Sequence, residues 1–305
     1  MPPITAGTSP VRRRLTIVLI ISSVVCVLAI LAVVTLRPAV VRQAVVDERP
    51  PAGAVASRSQ QPDRSPADDA SPGPVGQGDG WEMRFSDEFD GASLDNARWD
   101  DRSSAEADGG RGNKGNKQLE WNRAANCAVA GGELTMTAKR ERVTSGSSGE
   151  RYDWTSCLIS STPAYAFQYG YIEERAVLPT QRGFWPAFWT WQAQNVNRPV
   201  ETDVYEYYTA RSDVLEMTQH SGASGACTFR LPFDPAADWH VYGVAIEPSG
   251  TTWYVDGKEV CRTAATSDGT ANIISNLAVD AANPPASDTR SVVKRVDYIR
   301  AWQRR

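Results

Sequence analysis

Histidine is scarce in this chain, with two residues among 305, and no Cys-x-x-Cys spacing accompanies it. Structural zinc sites need clustered cysteine and histidine ligands, so the sequence gives no sign of one. An excess of positive charge is also missing, because the formal net charge is −4. Nucleic-acid binding needs a basic face, and we therefore expect no nucleic-acid partner.

Internal repeats are absent too, which argues against a propeller or a solenoid. From Trp81 onward there are also no long stretches with helical apolar spacing. Instead, short runs beyond residue 80 alternate apolar and polar residues over four to eight positions, as in "HVYGVAIEP" and "TTWYVDGKEV". Such runs, separated by turn residues, predict many short strands. The expected fold is an all-β, antiparallel sandwich.

The N-terminal part holds one long run without charge, residues 15–36. A helix rises about 1.5 Å per residue and the hydrocarbon core is about 30 Å thick, so this run is long enough to span it. Arg12, Arg13 and Arg14 precede it and favour a cytoplasmic tail at 1–14. We predict an uncleaved transmembrane signal-anchor; a cleaved signal peptide, whose apolar region is usually shorter, is the alternative.

Residues 37–80 contain seven of the nineteen prolines and no aromatic residue. A segment of this composition buries too little apolar surface to fold, so it is predicted to be a disordered linker. Every tryptophan lies at or beyond Trp81. The folded domain is therefore predicted at 81–305, outside the cell and tethered to its membrane.

Four cysteines fall within this domain, which suits an oxidising location. They allow three pairings, of which we predict the sequential one, Cys127 with Cys157 and Cys227 with Cys261. Four buried free thiols are the alternative.

Three acids stand close together in "PVETDVYEYY", residues 199–208. In a regular strand Glu201 and Asp203 share one face, while Glu206 falls on the other. One extra residue, a β-bulge, would return Glu206 to their side. Two carboxyl groups about 5–6 Å apart suit a retaining glycosidase. A solvated edge strand or a calcium site are the alternatives.

Aromatic residues precede the acids in "GFWPAFWTW", which brings Trp185, Trp189 and Trp191 together within seven positions. Indole faces can stack on sugar rings, so we expect some of them to line a cleft, although core packing is the alternative. A second acid pair, Glu173 and Glu174 in "IEER", is predicted to pair with nearby arginines in a structural role.

The motifs together closely resemble glycoside hydrolase family 16, the laminarinase and β-glucanase group. They occur in one order and cover residues 81–305: "FSDEFDG", "GGELTMTA", "YGYIEERAVLP", "GFWPAFW", "ETDVYE", "TQHSG", "DWHVYGVAIEPSGTTWYVDGKEV", "NLAV" and "VDYIRAWQ".

This resemblance implies a β-jelly roll of two antiparallel sheets, as in concanavalin A. It implies three catalytic roles: nucleophile for Glu201, assistant for Asp203 and general acid/base for Glu206. Sugar subsites are implied at Trp185, Trp189 and His220. No cofactor is needed for catalysis, but the motifs of Glu88 and Asp297 suggest a structural calcium ion.

Two segments depart from the family pattern. "NKQLEWN", 116–122, has Gln118 and Glu120 exchanged relative to the usual order, and Asp280-Ala281 replaces a usual Gly-Gly. Both segments resemble loops that border the sugar cleft, so they affect the choice of substrate.

The expected function is an endo-acting retaining hydrolase of β-linked polysaccharide, by default β-1,3-glucan, acting as a monomer. A transglycosylase on galactan or cell-wall glycan, and a non-catalytic sugar-binding module, are the alternatives.

Overall fold

The computed structural model describes residues 73–193, 200–221 and 225–305. The predicted cytoplasmic tail, the membrane span at 15–36 and the linker up to residue 72 lie outside these ranges. Within them, no helix has the length and apolar character needed to cross a membrane.

Eighteen β-strands are found in the described part of the chain. They are β1 (Trp81–Asp87), β2 (Glu120–Asn122), β3 (Cys127–Ala130), β4 (Glu133–Lys139), β5 (Val143–Thr144), β6 (Arg151–Tyr152), β7 (Trp154–Ser156), β8 (Leu158–Ser160), β9 (Gly170–Val177), β10 (Phe184–Gln192), β11 (Glu201–Glu206), β12 (Val214–Gln219), β13 (Gly225–Arg230), β14 (His240–Glu247), β15 (Gly250–Val255), β16 (Lys258–Thr263), β17 (Ala271–Val279) and β18 (Ser291–Arg304). Three single-turn 3₁₀ helices join some of them, at Lys114–Asn116, Ala124–Asn126 and Thr209–Arg211.

The strands form two main sheets, as predicted for an all-β sandwich. One sheet has ten strands in the order β16-β15-β14-β9-β18-β4-β7-β2, with β1 added beside β18 and β3 beside β4. The other has six strands in the order β13-β12-β11-β10-β17-β8, and β5 with β6 forms a separate ribbon. The pairing is antiparallel except between β2 and β7, which run parallel.

Side-chain alternation explains why the six-stranded sheet presents one apolar and one functional face. Along β10, Phe184 and Phe188 are fully buried in the core between the sheets. Trp185 and Trp189 point to the opposite face, where they line a cleft. Because successive side chains of a strand point to opposite faces, the same strand supplies side chains to the core and to the cleft.

Both disulfides connect the two sheets, and the predicted sequential pairing is confirmed. Cys127 of β3 is bonded to Cys157, which directly precedes β8. Cys227 of β13 is bonded to Cys261 of β16, joining the edge strands of the two sheets. Crosslinks that close loops of this length typically stabilise a fold by about 2–4 kcal/mol each.

A buried ion pair joins neighbouring strands of the ten-stranded sheet and faces the core. Lys294 Nζ of β18 lies 3.0 Å from Glu174 Oε2 of β9, and both side chains are inaccessible to solvent. Tyr205 of β11 donates its hydroxyl to the same carboxylate at 2.6 Å, and Lys294 also donates to the carbonyl of Ala187 at 3.2 Å. Residues of both sheets are therefore held by one network, directly beneath the acids of β11.

The prediction of an arginine partner was wrong for Glu174, whose partner is Lys294. Its neighbour Glu173 is also buried, and it accepts hydrogen bonds from the Val75 amide and the Tyr298 hydroxyl, each at 3.0 Å. A buried carboxylate needs hydrogen-bond donors for its oxygens, and for Glu173 an amide and a hydroxyl provide them in place of an exposed arginine.

Candidate active site

The predicted β-bulge is present in β11. Opposite β10, Ala187 pairs with Glu206 and Phe188 with Tyr205, but Trp189 pairs with Asp203, so that Val204 has no partner on that side. The register shifts at the same place against β12. This extra residue turns Glu206 to the face of Glu201 and Asp203.

The three acids consequently line one cleft, together with His220. Asp203 is 3% exposed, and its Oδ2 lies 2.8 Å from Nε2 of His220. Glu206 accepts a hydrogen bond of 2.9 Å from the hydroxyl of Tyr208, two residues further along. Thus each end of the acid cluster is oriented by a neighbouring polar side chain.

Main-chain contacts fix the bulged strand from beneath and from the side. The indole of Trp253, on β15 of the ten-stranded sheet, donates to the carbonyl of Asp203 at 2.7 Å. On the other side, the amide of His220 donates to the carbonyl of Glu201 at 3.0 Å. The backbone of β11 is therefore held on both sides of its irregular segment.

Aromatic side chains form the floor of the cleft beside the acids. Trp185 and Trp189 lie there as predicted, and Trp191 joins them. Trp185 stacks on Tyr208 with ring centroids 4.6 Å apart. Trp189 donates its indole N–H to Asn276 Oδ1 at 3.0 Å. Flat apolar surfaces next to polar groups have the character of a sugar-binding site.

The opposite wall comes from a loop, of which only the part from residue 116 onward was predicted to border the cleft. Ala105, Glu106, Asn113 and Asn116 lie there, with Gln118 at the loop's end; together with the floor they enclose about 400 Å³. The loop has no apolar periodicity, so the sequence before residue 116 gives no sign that it lines the cleft. Sequence reasoning also missed Tyr208 and Asn276; Tyr208 could have been found, because it follows Glu206 by two positions.

Burial and mutual repulsion shift the pKa values of the cluster. Burial, reinforced by Asp203, raises the pKa of Glu201 to about 8 and the pKa of Glu206 to about 7. Burial also raises the pKa of Asp203, although the hydrogen bond with His220 opposes this. That same hydrogen bond raises the pKa of His220 to about 9. Near neutral pH the cleft thus holds an imidazolium and at least one protonated carboxyl group.

Two places in the molecule bear on metal binding. Glu201, Asp203 and His220 offer ligand atoms within 4.8 Å of one another, but a protonated His220 would repel a cation. Glu88 and Asp297 form ion pairs with Arg300 and Arg175, at 2.8 and 2.7 Å. Calcium prefers six to eight oxygen ligands, and these two carboxylates are each already bound to a guanidinium. The calcium ion at Glu88 and Asp297 stays a prediction.

Further cavities lie at both ends of the central cleft. One of about 700 Å³ shares Glu106 with it. The other, of about 490 Å³, shares Asn116, Trp185 and Tyr208 with it. A polymer could therefore lie across the acids with sugar units on either side.

A sandwich of two β-sheets with paired carboxyl groups and indoles in one long groove defines a carbohydrate-active protein. The model of the glycosyl hydrolases family 16 matches residues 114–299, and the chain belongs to this family. The family resemblance of the sequence is thereby confirmed.

Individual relatives point the same way. Endo-1,3-1,4-beta-glycanase EglC of Rhizobium meliloti (strain 1021) is 30% identical over 243 residues, which cover 72% of this chain and 51% of that protein. Glucan endo-1,3-beta-glucosidase A1 of Niallia circulans is 28% identical over 264 residues, covering 73% and 38%. The chain spans about half the length, or less, of these curated relatives.

Solved structures share the fold. The catalytic domain of an endo-1,3-beta-glucanase (laminarinase) from Thermotoga petrophila RKU-1 superposes with a TM-score of 0.66 at 27% identity, covering 74% of this chain and 98% of that one. The endo-beta-1,3-glucanase from Pyrococcus furiosus gives 0.65 at 27% identity, covering 74% and 95%. The predicted all-β sandwich is confirmed.

Proposed function

We propose that this chain is an endo-acting, retaining glycosidase that hydrolyses β-linked glucan. The observation that carries the proposal is the bulge at Val204, which brings Glu201 and Glu206 into one cleft. Retaining glycosidases need two facing carboxyl groups, one as nucleophile and one as acid and base. The names of the relatives, endo-β-glycanase and endo-1,3-β-glucosidase, support β-1,3-glucan as the first substrate to test.

The reaction takes two displacements at the anomeric carbon. The Glu201 carboxylate attacks this carbon while Glu206 gives its proton to the departing sugar oxygen, and a covalent glycosyl ester forms. Glu206 then removes a proton from water, which attacks the same carbon and releases Glu201. Two inversions restore the original configuration. Asp203, hydrogen-bonded to His220, raises the pKa of both glutamates and so helps to keep a proton within the cluster.

The motif supports these two roles, because the pKa values of the free cleft do not distinguish the two glutamates. Burial and the nearby Asp203 raise the pKa of both. Because the charge of Glu206 also raises the pKa of Glu201, the two groups titrate together, and the active form is the one with a single proton on the pair. Activity should therefore fall on both sides of an optimum near neutral pH.

Replacing His220 tests the electrostatic part of this scheme. The imidazolium lowers the pKa of Glu201, so His220→Gln should raise that pKa and require a higher pH for the ionised nucleophile. The acidic limb of kcat/KM against pH should move up by about one unit, the lower end of the effect of an opposite charge at this range. The profile is measured on a soluble glucan.

His240→Gln is the matched control, since His240 lies on β14 beside Asp256 and outside the cleft. Its profile should coincide with that of the unaltered protein. An acidic limb that stays in place in His220→Gln would contradict the proposed role of the imidazolium.

The choice of substrate and of reaction is tested with the full chain and a polysaccharide panel: laminarin, lichenan, agarose and arabinogalactan. We expect mid-length oligosaccharides from laminarin first, and none from Glu201→Gln. Products longer than the substrate would favour a transglycosylase over a hydrolase. Binding without turnover by the unaltered protein would favour a non-catalytic sugar-binding module.

We further propose that the enzyme works as a monomer at the outer face of the cell membrane, anchored through residues 15–36. The uncharged run, the three arginines before it and the two disulfides of the domain support this location. Loss of the protein from carbonate-washed membranes would contradict the anchor.

A further inference from the structure

The groove is charged differently at its two ends. The cavity beyond Trp185 and Tyr208 is bordered by three cationic side chains, Lys117, Arg182 and Arg211. At the opposite end Arg102 faces Asp100, with which it forms an ion pair of 3.3 Å. This asymmetry stands out in a chain whose formal net charge is −4.

Two of the three cations have no carboxylate partner in the described part of the chain. Among residues 73–193, 200–221 and 225–305, no acid forms an ion pair with Lys117 or Arg182; Arg182 Nη2 donates to the amide oxygen of Asn283 at 3.0 Å. Arg211 differs, because it is paired with Glu216. The end of the groove therefore offers two free positive charges to a ligand.

One acid, Asp280, lies in the same cavity, but it is 3% exposed and its oxygens are engaged. The Ala282 amide donates to Oδ1 at 2.7 Å, and Asn283 Nδ2 donates to Oδ2 at 3.0 Å. Lys117 and Arg182 are by contrast exposed. A ligand in the cavity meets the cations before it meets this carboxylate.

The two segments that depart from the family pattern meet at this point. The backbone of Gln118 bridges that of Asp280, and the Ala281 amide donates to the carbonyl of Lys117 at 2.9 Å. Lys117 itself has a φ of 59°, a left-handed conformation that costs energy for a residue with a side chain. The two altered segments thus meet beside the cationic end, to which one of them contributes Lys117, next to the Tyr208 that contacts Glu206.

We propose that this cavity is a subsite for an anionic substituent, a carboxylate or a sulfate ester, on the polysaccharide. The proposal rests on the proposed glycosidase function and narrows its substrate to an acidic β-glucan. Lys117 and Arg182 bind the substituent while the sugar that carries it extends past Trp185 and Tyr208.

The test compares kcat/KM on laminarin, on carboxymethylated β-1,3-glucan and on sulfated β-1,3-glucan. The full chain should prefer at least one acidic glucan by about fivefold, the effect of two exposed charge contacts. The preference should disappear in Lys117→Gln/Arg182→Gln, and in the unaltered protein at about 0.5 M salt because of screening. Preference for one acidic glucan alone identifies the carboxylate or the sulfate as the ligand.

The control Lys139→Gln/Arg142→Gln removes the same two charges from exposed positions outside the groove. This control variant should keep the preference for the acidic glucan. If both double variants lose that preference equally, the net charge of the protein explains it and the subsite is refuted. Equal rates on neutral and acidic glucans would overturn it too.

Binding to Glu201→Gln separates this inference from the proposed function. Tighter binding of carboxymethylated or sulfated oligosaccharides than of neutral ones, lost when Lys117 and Arg182 are also replaced, supports the subsite even without turnover. Equal binding of charged and neutral oligosaccharides refutes it, whereas absent turnover on every glucan refutes only the glycosidase.

Discussion

Azide should trap opposite anomers from the two glutamate variants. With an aryl β-oligoglucoside whose leaving group needs no proton, Glu201→Ala lacks the nucleophile, so azide attacks the anomeric carbon directly and gives the α-glycosyl azide. Glu206→Ala still forms the ester with Glu201, and azide then displaces that carboxylate to give the β-glycosyl azide. The products are distinguished by NMR.

Both variants should also lose activity on the polysaccharide itself. General acid–base catalysis contributes about 10²–10⁴-fold, which is the expected loss in Glu206→Ala. Thermal unfolding provides the folding control for both alanine variants. The related variant Glu201→Gln should unfold at a temperature no lower than that of the unaltered protein, because it removes repulsion among buried acids. Exchanged anomers would reverse the roles of Glu201 and Glu206; the same anomer from both would refute the two-carboxylate scheme.

Lys294→Met should be the most destabilising single change in the core. It leaves Glu174 buried and without its cationic partner, for which the expected loss is about 3–5 kcal/mol in the free energy of unfolding. The measurement is denaturant unfolding of the full chain with its disulfides intact.

The double variant Lys294→Met/Glu174→Leu is the informative control. Removing both charges together should restore most of the lost stability, because the desolvation cost of each is removed as well. If Lys294→Met unfolds at the same denaturant concentration as the unaltered protein, the ion pair does not stabilise the sandwich.

The acids of β11 could be predicted because their chemistry restricts their geometry. Regular alternation places Glu206 away from Glu201, and a bulge is the simplest way to bring them together. The disulfides were less restricted, because four cysteines allow three pairings. Local sequence thus indicates the bulge, whereas the pairing of the cysteines depends on the whole fold.

The ion pair beneath the acids was predictable in part. Lys294 alternates with Val292 and Val296, and Glu174 alternates with Ile172 and Ala176, so both stand in core-facing positions. The sequence of each strand does not show that β9 and β18 are neighbours in the sheet, because the two strands lie far apart in the chain. Tertiary contacts alone bring the two charges together.

The part of the loop that carries Glu106 could not be predicted in this way. Its polar residues have no period, and its position over the cleft depends on the pairing of residues 117–119 with 279–281. Asn276 could not be predicted for a different reason: β17 is buried throughout, and nothing in its sequence distinguishes Asn276 from the other interior polar residues. Substrate contacts from such places need the assembled sheets.

The placement of both disulfides between the sheets matters for anyone who produces the protein. A bacterial cytosol keeps thiols reduced, so synthesis there would yield two sheets without disulfide bonds between them. Secretion into the periplasm, or refolding with a glutathione couple, would close both links. Batches that differ in thiol content should then differ in heat resistance although their amino-acid sequence is the same.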